Sequence, residues 1–201
     1  ADLLRFPMPG SEGRPKVQRA PRVTAIVLAA GTSSRMGSNK LLADIGGKPM
    51  VRHTVAALQR ASIDQIVVVT GRDSDHVIAA LQGLSVICVH NPEFAHGLST
   101  SLRRGLEVVP EDSDAVLVCL GDMPLVDEAV ASRLIAAFSP AEHRSICVPV
   151  HQGMRGNPVL WGKAHLPALM GVTGDRGGKA LLELRADEVV EVEMPDRAVL
   201  T

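Results

Sequence analysis

The chain has 201 residues and is 46% hydrophobic, which suits one compact domain with a substantial core rather than two domains. Its formal net charge is −1, with acids and bases interleaved, so it lacks the basic footprint that nucleic acid or an anionic membrane surface requires. No apolar run reaches the ~20 residues that span a bilayer, and small-molecule partners are expected.

Residues 1–21 hold four Pro, two Gly and scattered charges without periodicity. They read as a flexible leader, with the folded domain expected over 22–201. Order begins at the apolar, β-branched run 23–29, a buried strand by its composition, followed by a loop over 30–40. Helical spacing then appears over 50–60. A second strand is expected at 66–70, a helix at 73–81 and a third short strand at 84–89. Helix 99–108 precedes 115–120, the most hydrophobic strand of the chain. Next come an amphipathic helix at 127–138, a strand at 145–149, an extended piece at 157–161, helical segments at 164–170 and 179–184, and an alternating strand at 188–192.

The recurring strand, helix, strand order predicts an α/β fold. It is read as a single-domain, Rossmann-like, doubly wound and mostly parallel sheet with helices on both faces. A core with 2% aromatic residues, filled by Val, Ile, Leu, Ala and Met, fits such a sheet. Cys88, Cys119 and Cys147 lie in or beside apolar runs without ligand spacing. They read as buried free thiols in a reducing, cytoplasmic setting.

In such sheets ligands bind beyond the carboxyl ends of the strands, and the informative loops lie there. After the first strand runs Leu28-Ala29-Ala30-Gly31-Thr32-Ser33-Ser34-Arg35-Met36-Gly37-Ser38-Asn39-Lys40. Its small residues let the backbone approach phosphate oxygens, and Arg35 and Lys40 supply cations for a triphosphate. The spacing is neither that of a P-loop nor the GxGxxG dinucleotide fingerprint, which argues against a dinucleotide-dependent oxidoreductase. Thr70 closes the second strand at the same edge. Asp122, in Gly121-Asp122-Met123-Pro124 after the most hydrophobic strand, is the candidate Mg²⁺ ligand; the competing reading makes it a cap of the following helix or turn. In the segment 91–102, Ser99 and Ser101 stand where they would cap a helix or touch a ligand, and His96 reads as a surface histidine rather than a general base.

The segment LAAGTSSRMGSNK resembles the LAAGxSxRMGxxK signature of the MobA-like nucleotidyltransferases. With Ala29-Ala30 in place of Ala-Gly-Gly, it looks more like the molybdenum cofactor cytidylyltransferase branch. The resemblance covers roughly residues 23–197 and implies the nucleotide-diphospho-sugar transferase type of fold. It implies nucleotide contacts for Leu28, Ala29, Ala30, Gly31, Arg35, Lys40, Thr70, Asn91, Gly97, Ser99 and Ser101, catalytic roles for Arg35, Lys40 and Asp122, and Mg²⁺ on Asp122. Asn157 and Pro158, with the later Asp175, Gly177 and Lys179, resemble the acceptor-binding half, facing a pterin phosphate. The stretch 191–196 is similar to a family acidic stretch but carries Glu191 and Glu193 at its two leading acids and Met194 for Thr, and assigns no second metal ligand.

The activity implied is transfer of CMP from CTP to the phosphate of a molybdopterin-type acceptor with loss of pyrophosphate, and a molybdoenzyme or insertion chaperone as recipient of the product. The alternatives are guanylyl transfer from GTP to the same cofactor, a sugar-phosphate nucleotidyltransferase, and a non-catalytic molybdenum cofactor carrier.

Overall fold

The computed structural model describes residues 19–31, 39–174 and 177–200. In chain order it contains β1 (Val23–Ala29), the hairpin β2 (Asp44–Ile45) and β3 (Lys48–Pro49), α1 (Met50–Arg60), β4 (Gln65–Thr70), α2 (Ser74–Ala80), β5 (Ile87–His90), α3 (Leu98–Leu106) and β6 (Ala115–Leu120). There follow α4 (Glu128–Ala137), β7 (Ile146–His151), β8 (Met154–Arg155), β9 (Val159–Gly162), α5 (Leu166–Met170), α6 (Gly177–Leu184) and β10 (Val189–Glu193).

The main sheet runs β10-β7-β9-β6-β1-β4-β5, with β8 paired to β7. Its pairings are parallel except those of β9 and β8. Strand β9 is antiparallel because the connection 152–158 is far too short for the crossover of a dozen or more residues that a parallel neighbour needs. All seven residues of β1 are buried, as expected of a strand covered on both faces. Val23, Ala25, Val27 and Ala29 pack with apolar residues of α1, α2 and α4. Ile26 and Leu28 point the other way, toward α3, α5 and α6. Each such fully buried Val, Ile or Leu contributes roughly 1.5–3 kcal/mol, so the two cores carry the fold.

The expected elements appear with shifted ends. The third strand begins at Ile87 rather than residue 84, because the turn after α2 continues through Gly83, at φ +81°, and pairing with β4 starts only at Val67↔Ile87. Cys119 and Cys147 are buried as expected, but Cys88 is half-buried, since β5 is the sheet edge and has one neighbour. Burial raises all three thiols; Cys147 is pushed up to about 12 despite the opposing Arg144 guanidinium.

At the opposite end from the strand carboxyl termini, the buried Ser145 hydroxyl donates to Glu188 Oε2 at 2.5 Å and meets His165 Nε2 at 2.7 Å. This ties the start of β7 to the turns preceding α5 and β10. The Ser145 hydrogen bond, helped by the His165 and Arg185 charges, holds the Glu188 carboxyl below its usual range.

Two outcomes follow from this packing. With a chromogenic disulfide reagent at pH 8, Cys88 reacts in the native protein and Cys119 and Cys147 react only on unfolding; three equally fast thiols would contradict the buried placement. Because the Glu188 pKa is lowered on folding, its stabilisation is present above the ordinary glutamate range and is lost as pH falls through the lowered value. The urea-stability gap between wild type and Glu188→Gln is therefore full at pH ~7 and shrinks below pH ~4. A gap unchanged between these pH values would exclude the assigned interaction.

Candidate functional site

From β1 the chain winds outward through β4 to β5, then returns to β6 on the other side of β1. Loops leaving β1 and β6 consequently diverge, and the crevice opens at the carboxyl ends of these two strands. At the end of β1, Ala30 is buried and Gly31 exposed. Arg35 and Gly37 belong to 32–38, outside the described residues. The chain is described again from Asn39, whose Oδ1 accepts from the Leu41 amide at 3.0 Å while its Nδ2 donates to Asp73 Oδ2 at 2.9 Å. These bonds fix the turn 40–42 and bury Leu41, while the Lys40 side chain extends outward, 60% exposed.

Lys40 Nζ donates to Asp122 Oδ2 at 3.3 Å. The loop carrying Asp122 is pinned from both sides: the Gly121 amide donates to the Leu28 carbonyl at 3.0 Å, and the Gly121 carbonyl accepts from Thr54 Oγ1 at 3.3 Å. A Cβ on Gly121 would stand 3.1 Å from the Leu28 carbonyl oxygen and 3.2 Å from Leu41, so a larger residue would push the β1 and β6 loops apart. Met123 and Val126 are buried beyond it. The helix-cap reading of Asp122 does not hold, because Asp127 caps α4 by accepting from the Val130 amide at 3.1 Å. Asp122 is thus left one-third exposed, facing Lys40. Among the described residues no three His, Cys, Asp or Glu side chains converge on a common point.

Gly71, which belongs to no motif, directly follows β4 and lies against Ala30 at the end of β1. A Cβ there would come within 2.7 Å of the Ala30 carbonyl oxygen and 2.9 Å of Phe94 Cβ. The only sequence signal was a glycine immediately after a strand at the ligand-binding edge. Neighbouring Thr70 is buried, its hydroxyl 2.7 Å from that of Ser74.

The 91–102 segment is organised by Asn91. Its Nδ2 donates to Thr100 Oγ1 and Ser101 Oγ, both at 2.9 Å, and its Oδ1 accepts from the Glu93 amide at 3.0 Å. Ser99 and Ser101 do not cap α3: they lie inside its first turns, and the cap position is Gly97 at φ +104° without a side-chain bond. Thr100, unnoticed in the sequence, donates to the Gly97 carbonyl at 2.8 Å or to the Glu93 carbonyl, closing the loop. His96 is exposed, as expected of a surface histidine.

One cavity of about 770 Å³ opens on the α3, α5 and α6 side of the sheet. Its wall joins Leu28 and Ser99 to Asn157 and Lys179, bringing residues from the two halves of the chain together. Trp161, the sole tryptophan, lines it as well. Gly156 holds the Asn157 segment in place: a Cβ would fall 2.1 Å from the Val199 carbonyl oxygen, to which the Asn157 amide donates at 2.9 Å. Pro158 is buried behind it. Gly177 opens α6, and Asp175 lies outside the described residues. Glu191 accepts from Arg155 Nε at 2.7 Å and Glu193 from the Gln152 amide at 3.2 Å, while Met194 is buried.

Comparison with known proteins places this geometry. The chain is 34% identical over 161 residues to the bifunctional protein GlmU of Kineococcus radiotolerans, covering 78% of this chain and 32% of that protein. To its counterpart from Agrobacterium fabrum it is 37% identical over 119 residues, covering 57% and 26%. The chain thus spans about a third or less of these curated relatives. Among solved structures, Rv0371c from Mycobacterium tuberculosis H37Rv superposes with a TM-score of 0.77 at 27% identity, covering 87% of this chain and 89% of that one. A crystal structure of Rv0371c in complex with manganese gives 0.74 at 25%, covering 86% and 88%. A model of the MobA-like NTP transferase domain matches residues 25–190, from β1 and its following loop, through Asp122 and the Asn157 segment, into β10. With that match running through both sides of the cavity, the chain belongs to the MobA-like NTP transferase family.

Proposed function

We propose that this protein transfers CMP from CTP to the phosphate of a molybdopterin-type acceptor, releasing pyrophosphate. The observation that carries the reading is the shared cavity, in which Leu28 and Ser99 of the nucleotide half meet Asn157 and Lys179 of the acceptor half. In-line attack of a phosphate on the α-phosphorus asks for positioning and charge neutralisation rather than covalent chemistry from the protein. In this reading the backbone of Ala29, Ala30 and Gly31 receives phosphate oxygens, joined by Lys40 and, from the sequence pattern, Arg35. Gly97, Ser99 and Ser101 bound the nucleoside side, with Asn91 bracing their loop and Thr70 below it. Asn157, Pro158, Gly177 and Lys179 hold the acceptor, with Asp175 added by the resemblance.

Asp122 suits a hard divalent cation, Mg²⁺ in this proposal: it is a partly exposed carboxylate at the strand edge, and Mg²⁺ characteristically takes one or two protein carboxylates alongside substrate phosphates. When bound, the cation neutralises charge on the phosphates. The Lys40–Asp122 pair is solvent-exposed and contributes about 0–1 kcal/mol to stability, so its role is catalytic rather than structural. A molybdoenzyme or insertion chaperone is the proposed recipient of the product, and the cytoplasm its compartment.

The test is pyrophosphate release from CTP, GTP, ATP and UTP with Mg²⁺, with and without molybdopterin. Release from CTP that requires the pterin is expected. Release from GTP reassigns the nucleotide, release that needs a sugar phosphate reassigns the acceptor, and pterin binding without release from any nucleotide replaces the enzyme by a carrier. Asp122→Ala and Lys40→Ala each lower kcat by about a hundredfold or more, while the melting temperature moves by less than about 4 °C. Wild-type turnover by Asp122→Ala at saturating Mg²⁺ would remove Asp122 from the site.

A further inference from the structure

The cavity wall includes Arg155, which opens the Arg155-Gly156-Asn157-Pro158 string but has no role of its own in the proposed transfer. Arg155 lines the cavity beside Met154 and Gly156, and its backbone is held on three sides. It pairs with Val150 across the β7–β8 hairpin. The hairpin turn is set by Gln152 at φ +50° and Gly153 at φ +78°. On the other side, Gly156 presses against the Val199 carbonyl and donates its amide to the Pro149 carbonyl at 2.8 Å.

The side chain is held too. Arg155 Nε donates to Glu191 Oε1 at 2.7 Å, and Glu191 lies on β10, which like β8 pairs with β7. This bond engages Nε and leaves both terminal amino groups of the guanidinium without a hydrogen bond among the described residues. Such a planar fork, fixed at its base, matches two oxygens of a phosphate, which the point charge of a lysine does not. Trp161, Leu169, Val172 and Leu182 give the same cavity an apolar stretch that suits the body of an acceptor, while Ser99, Asn157, Lys179 and Glu183 add polar groups to its wall.

The geometry points to Arg155 as the residue that receives the phosphate of the acceptor, with Glu191 as its positioning residue. This rests on the reading of the cavity as the acceptor site, and it narrows the acceptor class to phosphate monoesters. Arg155 takes no part in bond making: the attacking oxygen remains on the acceptor phosphate, and the fork aligns that group and offsets its charge.

Trp161 in the wall provides a readout independent of turnover, because emission from the sole tryptophan reports occupancy of the cavity. Molybdopterin is titrated against wild type, Arg155→Ala, Arg155→Lys and Glu191→Gln, and steady-state kinetics are measured with CTP. Losing two hydrogen bonds to a charged group weakens binding by about a hundredfold or more. Arg155→Ala is expected to raise the molybdopterin Kd and KM by that factor with the KM for CTP unchanged. Arg155→Lys restores little of the loss, and Glu191→Gln shows a smaller rise of the same kind. Unchanged acceptor Kd and KM in Arg155→Ala would overturn the assignment while leaving the proposed transfer intact. If wild type ignores molybdopterin, the proposed acceptor fails. The four proteins are then compared with N-acetylglucosamine 1-phosphate and glycerol 3-phosphate as acceptors. An Arg155-dependent KM for whichever of these is used supports the inference, and turnover of neither overturns it.

Discussion

Strand β1 is buried along its whole length, between two apolar cores that each use alternate residues of the same seven. A strand in that position leaves its polar backbone no partner except its neighbours, so β4 and β6 pair with it on either side in parallel register. Water and ligands then reach it only at its ends. Because the chain leaves β1 in one direction and comes back to β6 in the other, the carboxyl ends are where the connecting loops part. The position of Lys40 and Asp122, from loops 82 residues apart in sequence, is a consequence of that winding.

Close approach then determines which residues are tolerated around the crevice. Gly121 and Gly71 lie against the carbonyls of Leu28 and Ala30, at the carboxyl end of β1. A side chain at either would displace the loop it supports. Asn91 plays the corresponding part on the far side, spending both amide hydrogens and its carbonyl on Thr100, Ser101 and Glu93. This half of the chain is therefore a frame of backbone held by buried polar bonds, in which the exposed pair of Lys40 and Asp122 contributes little to folding.

The C-terminal half is built differently. The hairpin of β7 and β8, the Gly156 contact with Val199 and the antiparallel strand β9 bring Arg155, Asn157 and Trp161 to the same cavity that Leu28 and Ser99 close from the other side. Here the wall is largely apolar, and the few polar groups set orientation, the usual division of labour in a small-molecule pocket.

Much of this was legible in the sequence because it rests on local patterns. The apolar runs of β1, β4 and β6, the spacing of α1 and α4, and the LAAGTSSRMGSNK and Gly-Asp-Met-Pro strings declare strand, loop and family without reference to the rest of the chain. Other features depend on partners far away in sequence. Strand β5 starts late because its register is set by β4, and Cys88 is half-buried because β5 has only one neighbour. Asp127 rather than Asp122 became the helix cap, and Ser99 and Ser101 entered the helix instead of capping it, since single-residue helix boundaries follow from packing. Gly71 carries no motif, and even for Gly156, in a Gly-Asn-Pro string, the close contact that excludes a side chain is with a distant carbonyl, 43 residues away against 41 for Gly71. The sequence by itself determined the main strands and helices and the family they belong to, through periodicity, side-chain type and motif. Only the tertiary structure decided which of those groups share a cavity and which are consumed in holding it together, because burial and contact are properties of pairs that the chain brings together on folding.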